Sequence, residues 1–129
     1  MLNDPLANAL SSILNNEKLR KPDCLIRISS KLIKNVLEII NQNGYIGSIN
    51  EIKASKGDLL RVNLLGNINK CGVIRPRYSV KKEEYEKFEK RYLPAKDIGI
   101  LIVSTPSGLM THTEAKKKGL GGVLIAYCY

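Results

Sequence analysis

Residues 98–129 read IGILIVSTPSGLMTHTEAKKKGLGGVLIAYCY. Two apolar runs, Ile98–Val103 and Val123–Tyr129, enclose a polar, glycine-rich middle. Each run is too short for a helix, and Pro94 and Pro106 bracket the first, so both read as strands of a buried sheet. A final strand with no polar tail has to be paired, because an open edge of that composition invites aggregation. Between the strands, Thr111 and Glu114 form a T-x-x-E capping box that starts a short helix. Lys116, Lys117 and Lys118 fill its last turn, where cations complement the helix dipole, and Gly119 supplies the stop.

The same middle segment concentrates the candidate chemistry. Ser104, Thr105 and Ser107 place three hydroxyls in one turn between strand and helix, each able to donate and accept. Gly108 lets backbone approach a ligand, as do Gly121 and Gly122 beyond the lysines. Short polar groups and exposed backbone suit a shallow RNA groove or an extruded base, and lysines suit its phosphates. A well-made turn and a charge-complemented helix end account for the same residues without a ligand.

Upstream of this stretch, Cys71–Ile74 reads as a short strand limited by Pro76. Lys81–Tyr92 reads as a helix with Glu83/Lys87 and Glu86/Lys90 at i,i+4 and Tyr85, Phe88 and Tyr92 on a buried face. Residues 67–129 thus form a mainly β domain with short helices. A weak boundary falls in Gly66-Asn67-Ile68-Asn69, and its shortness predicts two packed domains rather than a flexible tether.

Residues 1–66 read as helix–strand–helix–strand–strand. Asp4 caps a helix over 5–16 with Pro5 at its first position. Residues 24–28 make a strand, and Ser29 or Ser30 caps a second helix whose apolar face is Leu32, Ile33, Val36, Leu37 and Ile40, stopped by Gly44. Residues 45–52 and 59–65 form two strands around a loop at 53–58. The fold class is α+β, two small α/β-type domains. Lys31 and Lys34 sit in the first turn of the second helix, where the dipole disfavours them; a nearby phosphate is the functional explanation.

Composition narrows the function. Lysine and arginine total 21 against 12 acids, a net charge of +9, which favours a polyanionic partner through counterion release. Residues 66–129 carry twelve bases and six acids against nine and six in residues 1–65, so the second half is the expected phosphate-binding part. Cys24, Cys71 and Cys128 are far apart in sequence and odd in number, which argues against a disulfide framework or zinc site and for a reducing compartment. The opening Met-Leu-Asn-Asp-Pro lacks a basic leader followed by an apolar run, so neither export nor membrane insertion is expected. His112 is the only histidine; there is no G-x-S-x-G elbow, phosphate loop or G-x-G-x-x-G fingerprint, so catalysis, a cofactor, a metal and a small-molecule substrate are not expected. Two rival readings stay open: a phosphate-handling enzyme, and an adaptor that pairs its last strand with a partner's sheet edge.

Four segments then carry a resemblance spanning the chain in order: Asp4–Leu10, Ile68–Tyr78, Arg91–Ala95 and Ser104–Tyr129. Together they resemble the universal family of small-subunit ribosomal protein eight, the middle two being similar to its archaeal and eukaryotic branch. The resemblance implies a cytoplasmic, non-enzymatic structural protein that binds rRNA of the central domain, stabilises its fold during assembly and meets neighbouring ribosomal proteins. It implies RNA contact by Ser104, Thr105 and Gly108 of the hydroxyl turn and by the pair Gly121 and Gly122. Pro106 departs from the usual serine and removes a hydroxyl and an N–H donor; Ser107 is expected to substitute. Asp4, Asn8, Lys31 and Lys34 fall in segments resembling the family's secondary RNA contact.

Overall fold

The computed structural model describes residues 5–27, 31–53, 58–74, 77–95 and 98–129. Asp4, Ile28, the Ser29/Ser30 cap, most of the loop at 53–58 and Pro76 lie outside the described residues. The chain divides into two compact units, Met1–Lys70 and Cys71–Tyr129.

In the first unit the order is α1 (Pro5–Lys18), β1 (Asp23–Arg27), α2 (Lys31–Gln42), β2 (Ile46–Ile52) and β3 (Leu59–Leu64), the succession the periodicity predicts. The three strands form an antiparallel sheet in the order β1-β3-β2. Alternation on β3 buries Leu60, Val62 and Leu64, while α1 packs on β1 and α2 on β2. Helix α2 buries Ile33, Val36, Leu37, Ile39 and Ile40; Leu32, assigned to that face from sequence, is only half-buried. Gly44 adopts φ 80° and ends the helix as expected. Segment 66–68 is held to this unit, since the Glu17 carboxylate accepts the Gly66 N–H at 3.0 Å and Asn67 Nδ2 donates to the Gly44 carbonyl at 2.9 Å.

The second unit contains β4 (Cys71–Val73), β5 (Ser79–Val80), α3 (Tyr85–Tyr92), β6 (Ile100–Thr105), β7 (Gly108–Thr111), α4 (His112–Lys118) and β8 (Gly122–Cys128). Strand order is β4-β8-β6-β7, with β5 also paired to β8. The last strand is therefore central, flanked by β6 on one side and by β4 and β5 on the other. That overturns the edge-pairing adaptor reading, because β8 has no open edge along those positions.

Two readings of local structure need correction. The hydroxyl segment is the tip of a hairpin rather than a turn between strand and helix: Ser104 and Thr105 finish β6, and the four-residue β7 follows. A strand of four residues is too short to show alternation in sequence. The helix expected over Lys81–Tyr92 begins only at Tyr85, because β5 draws Ser79 and Val80 into the sheet and the Glu84 carboxylate accepts the Lys81 N–H at 3.0 Å.

The unit's core joins Val80, Tyr85, Phe88, Leu101, Val103, Met110, Ala115 and Leu124, with Tyr92 packed against it, so the helix aromatics are core as their spacing predicts. A Cβ on Gly122 would lie 2.3 Å from the Ser104 carbonyl oxygen and 2.9 Å from Val103 Cγ1. Replacing Gly122 with alanine therefore forces β8 from β6, and urea denaturation should show a loss of about 1–3 kcal/mol, the usual scale of overpacking.

Candidate nucleic-acid interface

The β6–β7 tip is built by its own hydroxyls. Thr105 pairs with Gly108 across a two-residue turn, Pro106-Ser107. Proline fixes φ near −65°, so the turn cannot take a positive φ there; Gly108 adopts φ 113° instead, a conformation that glycine reaches without steric cost. Thr105 Oγ1 donates to the Gly108 carbonyl at 2.8 Å and accepts the Ser107 N–H at 3.2 Å. Thr105 is buried, whereas Pro106, Ser107 and Gly108 are exposed and Ser104 is half-buried. The threonine hydroxyl thus shapes the tip, and the Ser107 hydroxyl is presented outward. Pro106 fits because nothing in the tip needs its missing N–H.

The glycines divide in the same way. Gly108 has open space where a Cβ would stand. Gly121 and Gly122 do not: a Cβ on Gly121 would lie 2.6 Å from the Val80 carbonyl oxygen, and one on Gly122 would strike Ser104. Their side-chain faces are closed by β5 and β6, so the absence of a side chain there serves internal packing. The pairing of β6 with β8 also sets Ser104 opposite Val123, bringing the hydroxyl tip and the glycine pair to one end of the sheet.

Thr111 Oγ1 caps α4 by accepting the Glu114 N–H at 3.3 Å, as the capping box predicts. Gly119, at φ 67°, closes the helix, with its N–H on Lys116 O and the Leu120 N–H on Ala115 O, a Schellman ending. The Tyr85 hydroxyl donates to the Leu120 carbonyl at 2.8 Å, anchoring the loop between α4 and β8 on α3; burial pushes that phenol above its ordinary pKa. Lys118 precedes Gly122 by four residues, which limits their backbone separation to about 14 Å.

The three lysines are not equivalent. Lys116 Nζ is bonded to the carboxylate of Glu89, which is 3% exposed. His112, also buried, faces the same oxygen through Nε2 at 3.3 Å and accepts the Leu101 N–H on Nδ1 at 3.1 Å. Accepting at Nδ1 leaves the imidazole proton on Nε2, directed at the carboxylate. The cluster ties α3, α4 and β6 together, and it is a structural use of His112. Lys117 and Lys118 are exposed and remain available to phosphates. Sequence reading missed Glu89, because the charges of its helix read as solvent-facing i,i+4 pairs and only the aromatics were assigned to the buried face; a carboxylate one residue after Phe88 and four after Tyr85 is the signal it offered.

The remaining candidates belong to the first unit. Asn8 and Lys31 are exposed, and Lys34 Nζ pairs with Glu51 Oε2 at 3.3 Å. Asp4 lies outside the described residues. Among the described residues no group of His, Cys, Asp or Glu could hold a metal ion, and no helix is long and apolar enough to cross a membrane.

A basic α+β chain that displays a hydroxyl-bearing hairpin tip beside a lysine-ended helix has the equipment of an RNA-binding protein. The model of the family "Ribosomal protein S8" matches residues 4–129, and the chain belongs to that family. It is accordingly a structural ribosomal protein of the small subunit that binds rRNA and takes part in translation.

Glu89 holds two partners in a buried place, so Glu89→Ala should lower the unfolding free energy by about 3 kcal/mol, the scale of a broken buried pair. Lys117→Ala should stay within about 0.5 kcal/mol of the parent in the same denaturant titration, as exposed substitutions do.

Proposed function

We propose that the second unit, residues 71–129 rather than the 67–129 expected from the Gly66–Asn69 break, is the principal rRNA-binding domain, that its target lies in the central domain of small-subunit rRNA, and that binding stabilises that RNA's fold during assembly. The observation that carries this reading is the hairpin tip, where the Ser107 hydroxyl and the open Gly108 backbone project from a hydrogen-bonded, proline-fixed turn. A rigid, narrow tip can enter a shallow groove or meet an unstacked base with little ordering entropy to lose. Ser104 and the backbone of Gly121 and Gly122, at the same end of the sheet, extend the contact. Thr105 contributes by holding the tip's shape.

Lys117 and Lys118 supply the phosphate contacts, while Lys116 acts chiefly as the cross-brace to Glu89. Asn8 and Lys31 form a second, weaker contact from the first unit, with Asp4 and Lys34 beside them in sequence. Lys34 contributes only where RNA displaces Glu51. Neighbouring ribosomal proteins are the other partners of this chain in the subunit.

Filter binding to a central-domain rRNA fragment tests the assignment. Ser107→Ala should weaken affinity by about tenfold, equivalent to one lost hydrogen bond of 1–1.5 kcal/mol; unchanged affinity would remove Ser107 from the site. Replacing Lys117 and Lys118 together by alanine should flatten the slope of log affinity against log salt by about 1.5, since each neutralised phosphate contributes about 0.7–0.9. An unaltered slope would leave those lysines as complements of the helix dipole alone. Sedimentation of the tagged chain with small subunits, and its absence from them when the tip is altered, tests the assembly role.

A further inference from the structure

Cys71 and Cys128 stand at opposite ends of the second unit's sequence, yet β4 and β8 pair them directly: the antiparallel register sets Cys71 against Cys128, Gly72 against Tyr127 and Val73 against Ala126. One step further along the ladder, the Ile74 N–H donates to the Ile125 carbonyl at 3.0 Å, which marks Ile74/Ile125 as a hydrogen-bonded pair. Alternation then makes Gly72/Tyr127 hydrogen-bonded and Cys71/Cys128 non-hydrogen-bonded. In non-hydrogen-bonded pairs the Cα atoms approach to about 4.5 Å and the side chains leave the sheet on the same face, inside the Cα range of about 4.4–6.8 Å that a disulfide spans. The structure holds both residues as thiols.

We infer that this pair is a redox modification site, converted by hydrogen peroxide into a cross-strand disulfide. Cys71 reacts first. It lies on the three-residue outer strand β4 and is 5% exposed, whereas Cys128 on the central strand is 0% exposed; opening of β4 therefore reaches Cys71 before β8 is disturbed. The Cys71 thiolate attacks one peroxide oxygen and breaks the O–O bond, giving a sulfenic acid and, after protonation, one water. The Cys128 sulfur then attacks Sγ of Cys71, forming the S–S bond and expelling the sulfenic oxygen as hydroxide, which takes up the Cys128 proton to leave as the second water. Two thiols lose two electrons and two protons, and one peroxide becomes two waters. A small oxidant suits a pair this enclosed. Cys24 is the internal control, a buried thiol of the other unit that accepts a hydrogen bond from Asn16 Nδ2 at 3.1 Å and is pushed above its ordinary pKa by burial.

The test is peroxide treatment of the whole purified chain, read by intact mass and by a non-reducing digest. The expected result is the loss of two hydrogens, one linked peptide pair containing Cys71 and Cys128, a raised thermal midpoint, and full reversal by dithiothreitol. Cys24→Ser should behave as the parent does. In Cys128→Ser the linked pair should vanish and dimedone should label Cys71. An unchanged mass, a link that includes Cys24, or oxygen added to Cys71 in the parent without a link would each overturn the assignment. The digest of the parent decides the matter even if a serine variant fails to fold.

Discussion

The second unit depends on how closely the chain approaches itself where β8 begins. Gly121 runs against the Val80 carbonyl and Gly122 against that of Ser104, so β5, β8 and β6 meet over residues that have no side chains to separate them. From that junction β8 continues as the central strand of the unit, and the hairpin tip that ends β6 takes its position from the same place. A larger residue at either glycine would move the strand the tip is built on. The glycine pair therefore acts first as a constraint on the scaffold.

Polar groups of the second unit are sorted by the direction in which they are satisfied. Thr105 closes the hairpin with one donated and one accepted hydrogen bond, His112 and Lys116 converge on Glu89, and Tyr85 holds the Leu120 carbonyl. Among the described residues no buried side-chain polar atom lacks a partner. Internal satisfaction of this kind stiffens the support, because each group would incur a desolvation penalty if it let go. Ser107, Gly108, Lys117 and Lys118, by contrast, are exposed.

Much of this was legible in the sequence wherever a periodic pattern ran long enough. The apolar face of α2 apart from Leu32, the capping box at Thr111 and the run of β8 each repeat a physical rule over several residues and are found where that rule puts them. The run expected as a buried strand from Ile98 starts as β6 only at Ile100, with Ile98 exposed. Strands β5 and β7, of two and four residues, owe their existence to their neighbours in the sheet, and no local pattern announces them. Strand order is non-local in the same sense. It placed β8 in the centre, where an edge had been a permissible reading, and it set Cys71 beside Cys128. Charge was legible as a total but not by residue, since only the tertiary structure separates Lys116, bound to a carboxylate, from two neighbours identical to it in sequence.

That separation bears on how a family signature should be understood. The stretch from Ser104 to Gly122 is recognisable as one motif, yet its residues do two different physical jobs. Thr105, Gly121, Gly122 and Lys116 shape or brace the protein; Ser107, Gly108, Lys117 and Lys118 are exposed to solvent. The departure at Pro106 falls on an exposed position of the turn whose N–H the fold does not use, so it can vary while the hairpin stays closed by Thr105 and Gly108. A substitution among the bracing residues alters the shape of the scaffold, and one among the exposed residues leaves that shape in place. The two kinds are told apart by where each hydrogen bond goes and by what stands opposite each missing side chain.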